Sequence, residues 1–178
     1  MAYRKAKTIL NRRVDKTGYA NYDDVYSIIN DNVEVGKECK FIANVYVDGN
    51  TKIGNKCTFY PFSSIGSEPQ DLKFNNERSF LEIGSKNKFR ENVTVNPGTE
   101  GGGLKTVIKD ECLFMVGSHI AHDCIIESNV ILANNATLAG HVEIFENAII
   151  GGNSAIHQFV KIGKYAMIGG MSGVESNI

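Results

Sequence analysis

Four histidines, one aspartate, one glycine and one glutamine carry most of the chemistry open to this sequence. His119, His122, His141 and His157 are its only histidines. Asp123 adjoins His122, Gly140 adjoins His141, and Gln158 adjoins His157. An imidazole titrates near neutrality and serves as a general base, and a neighbouring carboxylate orients it or stabilises its charged form. A glycine N–H can face a developing oxyanion with no side chain in the way. A second chemistry is open: three histidines from adjacent subunits binding zinc, with His119-x-x-His122 supplying two ligands. A third reading is structural, with histidines lining a subunit seam and catalysing nothing.

What brings these residues together is a six-residue register. Apolar residues stand at Val35, Phe41, Val47, Ile53, Phe59 and Ile65, and in the same phase at Ile83, Phe89 and Val95. After a slip of one residue the series continues unbroken from Ile108 through Phe114, Ile120 and Ile126 to Val174. At an apolar fraction of 42% the whole series has a chance probability of about 10⁻⁸ before allowance for choice of phase. From position 106 onward, a small or β-branched residue stands two before each apolar position, such as Thr106, Cys112, Ser118, Cys124, Val130 and Ala136. Residues two apart in a strand face the same way, so both point inward. Three short strands joined by turns close a triangular coil of about 18 residues, the pattern of an all-β parallel β-helix of hexapeptide repeats.

Stacked coils place residue n over residue n+18 at about 4.8 Å. His122, Gly140 and Gln158 therefore share a column; Asp123, His141 and Phe159 share the next. Cys39, Cys57, Cys112 and Cys124 all fall in the small inward slot and read as core, and no metal or redox pairing of cysteines stands out. Gly36, Gly54, Gly66, Gly84 and others follow the apolar residue, where the chain is expected to turn and a Cβ to be unwelcome. Two stretches break the register, about 66–82 (GSEPQDLKFNNERSFLE) and about 96–106 (NPGTEGGGLKT). Both are expected to be loops extruded from the coil, and loops on a rigid scaffold are where function concentrates. Residues 1–28 keep no register and are expected to be irregular, leaving the β-helix over 29–178.

The 178 residues carry 19 Lys+Arg and 20 Asp+Glu, a net charge of −1. That balance argues against nucleic acid as a partner. No apolar run reaches the ~18–20 residues of a transmembrane segment. Reduced thiols and the lack of a secretory signal pattern place the expected site of action in the cytoplasm.

GSHIAHDCIIESNVILANNATLAGH at 117–141, GGNSAIHQFVKIG, IGGMSGV and the upstream SIGSEPQDLKF together resemble the acyl-ACP:UDP-N-acetylglucosamine O-acyltransferase family of lipid A biosynthesis. The resemblance covers about residues 33–178. It implies a left-handed β-helix, a homotrimer with active sites between subunits, and a C-terminal helical region after the last coil, which is expected to be missing here. The implied donor is an (R)-3-hydroxyacyl group on acyl carrier protein and the acceptor is the 3-hydroxyl of UDP-N-acetylglucosamine. No metal or other cofactor is implied. Residue by residue, His122 matches the family's base, Asp123 its partner acid and Gly140 its oxyanion donor. His119, His141, His157 and Gln158 match positions that contact substrate or support the site. Asp71 and Lys73, in QDLK, match acceptor-binding positions, and Gly170 matches the position that limits acyl length. An N-acyltransferase acting on an amino sugar nucleotide, or a non-catalytic scaffold, are the competing readings.

Overall fold

The computed structural model describes residues 26–178. They wind into a triangular parallel β-helix whose three faces are sheets of eight, seven and seven strands, nearly all two residues long. The first face runs from Ile28–Ile29 through Tyr46–Val47, Ser64–Ile65, Thr94–Val95, His119–Ile120 and Thr137–Leu138 to Gly173–Val174. The second begins at Glu34–Val35 and the third at Lys40–Phe41. Plain coils advance eighteen residues, so Ile120 stacks on Leu138 and Leu138 on Ile156. The register opens with Ser27, buried in the small inward slot, where its Oγ accepts from Val45 N at 2.9 Å. Residues 1–25, most of the stretch read as irregular, lie outside the described residues.

From Phe41 onward the apolar residue of each hexad is buried, and the small residue two before it is buried beside it through most of the coil. The third face carries Phe41, Phe59, Phe89 and Phe114 in an inward stack, with ring centroids 4.8, 4.8 and 4.9 Å apart. That distance is the strand spacing itself, so ring stacking and ladder hydrogen bonding are satisfied together. The cysteines are free and buried, each thiol near a carbonyl of the coil above, as in Cys124 Sγ to Ala139 O at 3.2 Å. Burial pushes Cys112 and Cys124 up to about 12, which suits packing rather than reactivity.

While Gly66, directly after Ile65, holds φ 80° where the first loop leaves the coil, left-handed φ falls mostly three residues after the core residue, at Asn92, Asp123, Asn129, Asn135, His141, Asn147, Asn153 and Phe159 among others. Asparagine is common there because it tolerates this region better than other non-glycine residues. Gly36 and Gly54, directly after the core residue, stand where a Cβ is unwelcome, as the sequence pattern leads one to expect. A Cβ on Gly36 would lie 2.6 Å from the Gly54 backbone, and one on Gly54 would lie 2.6 Å from that of Gly84.

The loops are shorter than expected: 66–79 and 96–104. Phe80–Ile83 and Lys105–Ile108 are four-residue strands that pair with each other and with Asn50–Ile53, so the ends assigned to the loops belong to the second face. Ser64 pairs with Thr94, and Thr94 with His119 twenty-five residues on. The first loop thus adds two whole hexads and keeps the phase. The second adds one hexad and one residue, which produces the slip. Both leave the coil at the corner between first and second faces, in the two successive coils before the one in which His122 occupies that corner.

Candidate active site

His122 and Asp123 form the turn that links His119–Ile120 on the first face to Ile125–Ile126 on the second. Asp123 takes the left-handed position, with φ 60°, which directs its side chain back along the corner. Its carboxylate is wholly enclosed, and the His122 side chain is 9% exposed. His122 Nδ1 lies 2.8 Å from Asp123 Oδ2. An ionised carboxylate only accepts, so Nδ1 carries the proton and Nε2 presents a lone pair. Nε2 has no hydrogen-bond partner among the described residues.

Below the imidazole, the second loop encloses the carboxylate. Thr99 N donates to Asp123 Oδ1 at 2.9 Å and Oδ2 at 3.1 Å, and Thr99 Oγ1 donates to Oδ2 at 2.6 Å. Asp123 N in turn donates to Thr106 Oγ1 at 2.8 Å. A Cβ on Gly102 would sit 2.0 Å from Asp123 Cγ, so the glycine run serves as a close wall behind the acid. Thr99 carries no sequence pattern that marks it, whereas Gly102 belongs to the glycine run that breaks the register. The glycine run was the one available signal, and it marks a close backbone approach.

Above the imidazole, Gly140 occupies the same hexad position one coil on. A Cβ there would lie 2.5 Å from His122 Cε1 and 2.7 Å from Nε2, so only glycine lets the ring lie in this position. The Gly140 carbonyl accepts from Phe159 N at 3.3 Å, whereas its N–H meets no acceptor among the described residues. His141 stands edge-on to His122 at 5.1 Å and stacks on Phe159 at 4.4 Å. Desolvation lowers the His141 pKa; the Asp123 charge opposes this, His122 adds to it, and Asp71 opposes it weakly. His119, half-buried on the first face, bonds Thr94 Oγ1 through Nδ1 at 2.7 Å. Desolvation, and next the charge of His122, lower its pKa. Both rings are thereby biased towards the neutral form at pH 7.

The predicted residues are gathered to different degrees. His119, His122, Asp123, Gly140 and His141 converge at one corner. Asp71 lies in the first loop within electrostatic reach of His141, its Oδ1 accepting from Lys73 N at 2.9 Å, while the Lys73 side chain is exposed. His157 and Gln158 lie exposed on the same corner one coil above Gly140, with His157 Nδ1 at 3.3 Å from Gln158 O. Gly170 is elsewhere, on the corner between third and first faces, stacked over Gly152. His122, Asp123 and His141 each place a possible metal-ligand atom within 4.8 Å of the others. The Asp123 oxygens are already committed to Thr99 and His122, so the arrangement works as a hydrogen-bonded acid–base pair. The first loop is tied down by Asn96, whose Nδ2 donates to Ser67 O and Glu68 O, each at 3.0 Å.

A six-residue solenoid with an acid–base pair at one corner defines a hexapeptide-repeat transferase, and the bacterial transferase hexapeptide family (six repeats) matches residues 105–140. A solved UDP-N-acetylglucosamine acyltransferase is 43% identical, superposes with a TM-score of 0.78, and is aligned over 93% of this chain and 68% of its own. The chain belongs to the UDP-N-acetylglucosamine acyltransferase family, and its coil is the left-handed β-helix. LpxA from Acinetobacter baumannii superposes with a TM-score of 0.85 at 42% identity, over 91% of this chain and 64% of that one. The acyl-(acyl-carrier-protein)–UDP-N-acetylglucosamine O-acyltransferase of Thermodesulfovibrio yellowstonii is 49% identical over 119 residues, 67% of this chain. This chain spans 46% of that relative's length.

Proposed function

We propose that the protein transfers an (R)-3-hydroxyacyl group from acyl carrier protein to the 3-hydroxyl of UDP-N-acetylglucosamine, the opening step of lipid A biosynthesis. The observation that carries this reading is the His122–Asp123 pair with Gly140 against the ring, in a chain of this family. His122 Nε2 takes the proton of the sugar hydroxyl as its oxygen bonds to the thioester carbonyl carbon. The carbonyl π pair moves onto oxygen, and the Gly140 N–H stabilises that charge. When the tetrahedral intermediate collapses, the C–S bond breaks and the carrier thiol leaves with the proton held by His122. Asp123 stabilises the imidazolium meanwhile. His119, His141, His157 and Gln158 contact substrate or support the site, Asp71 and Lys73 hold the acceptor from the first loop, and Gly170 leaves room for a long acyl chain. No cofactor takes part in these steps.

The assembly is a homotrimer acting in the cytoplasm. Its trimer reading is supported by an outward ladder of Leu113, Ile131, Ile149 and Met167 on the third face, Met167 being 75% exposed. The second face instead pairs charges outward, as in Lys105–Glu82 and Lys161–Glu143. Among the described residues no helix is long and apolar enough to cross a membrane. The deciding assay supplies purified protein with 3-hydroxyacyl carrier protein and either UDP-N-acetylglucosamine or its 3-amino analogue. Acylation of the hydroxyl sugar is expected. Transfer to the amino sugar alone would make it an N-acyltransferase, and transfer to neither by a trimeric sample would leave a scaffold.

A further inference from the structure

The deepest commitment at this corner belongs to a residue outside the reading above. Thr99 gives the buried Asp123 carboxylate three hydrogen bonds, two from its backbone N–H and one from its hydroxyl. The hydroxyl bonds Oδ2, the same oxygen that receives His122 Nδ1–H. Gly102, three residues on, closes the back of the carboxylate so tightly that a methyl group there would displace it. The turn carrying both is held closed by Gly102 N and Leu104 N, which donate to Thr99 O at 3.1 and 2.8 Å. We infer that the second loop exists to fix the Asp123 carboxylate, with Thr99 as the positioning residue that holds His122 in its Nδ1–H form and leaves Nε2 free to act as base.

The chemistry follows from the tautomer balance of imidazole. An unconstrained neutral histidine carries its proton mainly on Nε2, the wrong nitrogen for a base facing substrate. Only a fixed acceptor at Nδ1 reverses that preference. Asp123 can be that acceptor only while its own rotation is blocked. Its backbone N–H is engaged with Thr106 and cannot hold the side chain. Thr99 and the Gly102 wall supply the block from a loop that interrupts the hexad register.

This inference rests on His122 acting as base, and its test separates the two ideas. The chain has four histidines, so ¹⁵N-histidine labelling of the full protein gives a spectrum simple enough to assign. Wild-type His122 is expected as the Nδ1–H tautomer. Thr99→Val should convert it to a mixture rich in Nε2–H and lower kcat roughly tenfold, the loss of one hydrogen bond to a charged group, with KM for the sugar nucleotide unchanged. Thr99→Ser should recover the wild-type tautomer and most of the rate. Gly102→Ala should reproduce the Val variant by displacing the carboxylate, which keeps the test open if Thr99→Val folds poorly. A wild-type His122 mainly in the Nε2–H form overturns the inference, as does an unchanged tautomer in both Thr99→Val and Gly102→Ala. The spectrum needs no substrate. A wild type with the Nδ1–H form that acylates no sugar would therefore sink the functional reading and leave the positioning role standing.

Discussion

Two corners of this coil share a backbone and differ in everything else. Between the third and first faces, Asn135 and Asn153 occupy the left-handed position in successive coils, and Asn135 Nδ2 donates to Asn153 Oδ1 at 3.1 Å. Between the first and second faces, the same position holds Asp123 and then His141, with φ 60° and 62°. The asparagine ladder is exposed and self-contained. The other corner has two loops lodged beneath it, and burial there turns an equivalent turn into an acid–base pair. Gly140 and Gly152 sharpen the contrast, since they hold the same place in their hexads. A Cβ on Gly152 would meet Asn134 O at 3.2 Å, a tight contact that a shift of a few tenths of an ångström relieves, whereas one on Gly140 would enter the His122 ring. The repeat supplies positions; what lies against a position decides its chemistry.

Several substitutions break the comparison at known places. His122→Ala removes the base and should lower kcat by roughly a thousandfold with the melting temperature of the protein little changed, measured by acyl transfer and circular dichroism. Retention of near-normal turnover would end the assignment. Gly140→Ala should push the ring out of line and cost about a hundredfold in kcat, while Gly152→Ala leaves activity within about twofold. Equal losses in the two glycine variants would mean that the corners do not differ as described. Next comes Asn153→Ala, which places alanine in a left-handed turn and removes the ladder bond. It should destabilise by about 1–2 kcal/mol in urea melts without altering kcat.

The smallest effect is on pH. His119 and His141 have folded pKa values lowered chiefly by desolvation. A depressed value favours the folded state while the imidazole is neutral. That contribution is complete above the ordinary histidine pKa of 6.5 and is lost as pH falls through the lower folded value. Thermal melts between pH 7.5 and 5 should show a modest decline that is shallower in His119→Asn. A steeper decline in that variant would contradict the assigned sign.

Much of this was legible in the residues themselves. The hexad series from Val35 to Val174 predicts the coil, and its two breaks locate the loops. Column arithmetic brings His122, Gly140 and His141 together because the eighteen-residue advance is uniform beyond Ile108. Thr99 escaped because it lies in a loop, where no column extends and a threonine among glycines has no periodic signature. Glycine after the core residue marks where a Cβ is unwelcome but, Gly66 apart, does not mark where the backbone turns left-handed. The asparagines three places after it, at Asn92, Asn129, Asn135, Asn147 and Asn153, were the better signal. Gly36 and Gly54 agree with the reading that a Cβ is unwelcome after the core residue, because adjacent coils approach too closely for one.

The left-handed turns also bear on how the chain folds. Glu38, Lys56, Lys86, Glu111, Phe159 and Tyr165 all hold a conformation that each residue resists in isolation. No single coil therefore has a local preference strong enough to form before its neighbours. Ordering must begin where several coils can dock at once and then spread one coil at a time, as in a one-dimensional lattice with a costly nucleus. The aromatic stack from Phe41 to Phe114 is the natural seed, because it joins four coils through a single column. Amide exchange should accordingly be slowest around Phe59 and Phe89 and quicken towards Val174.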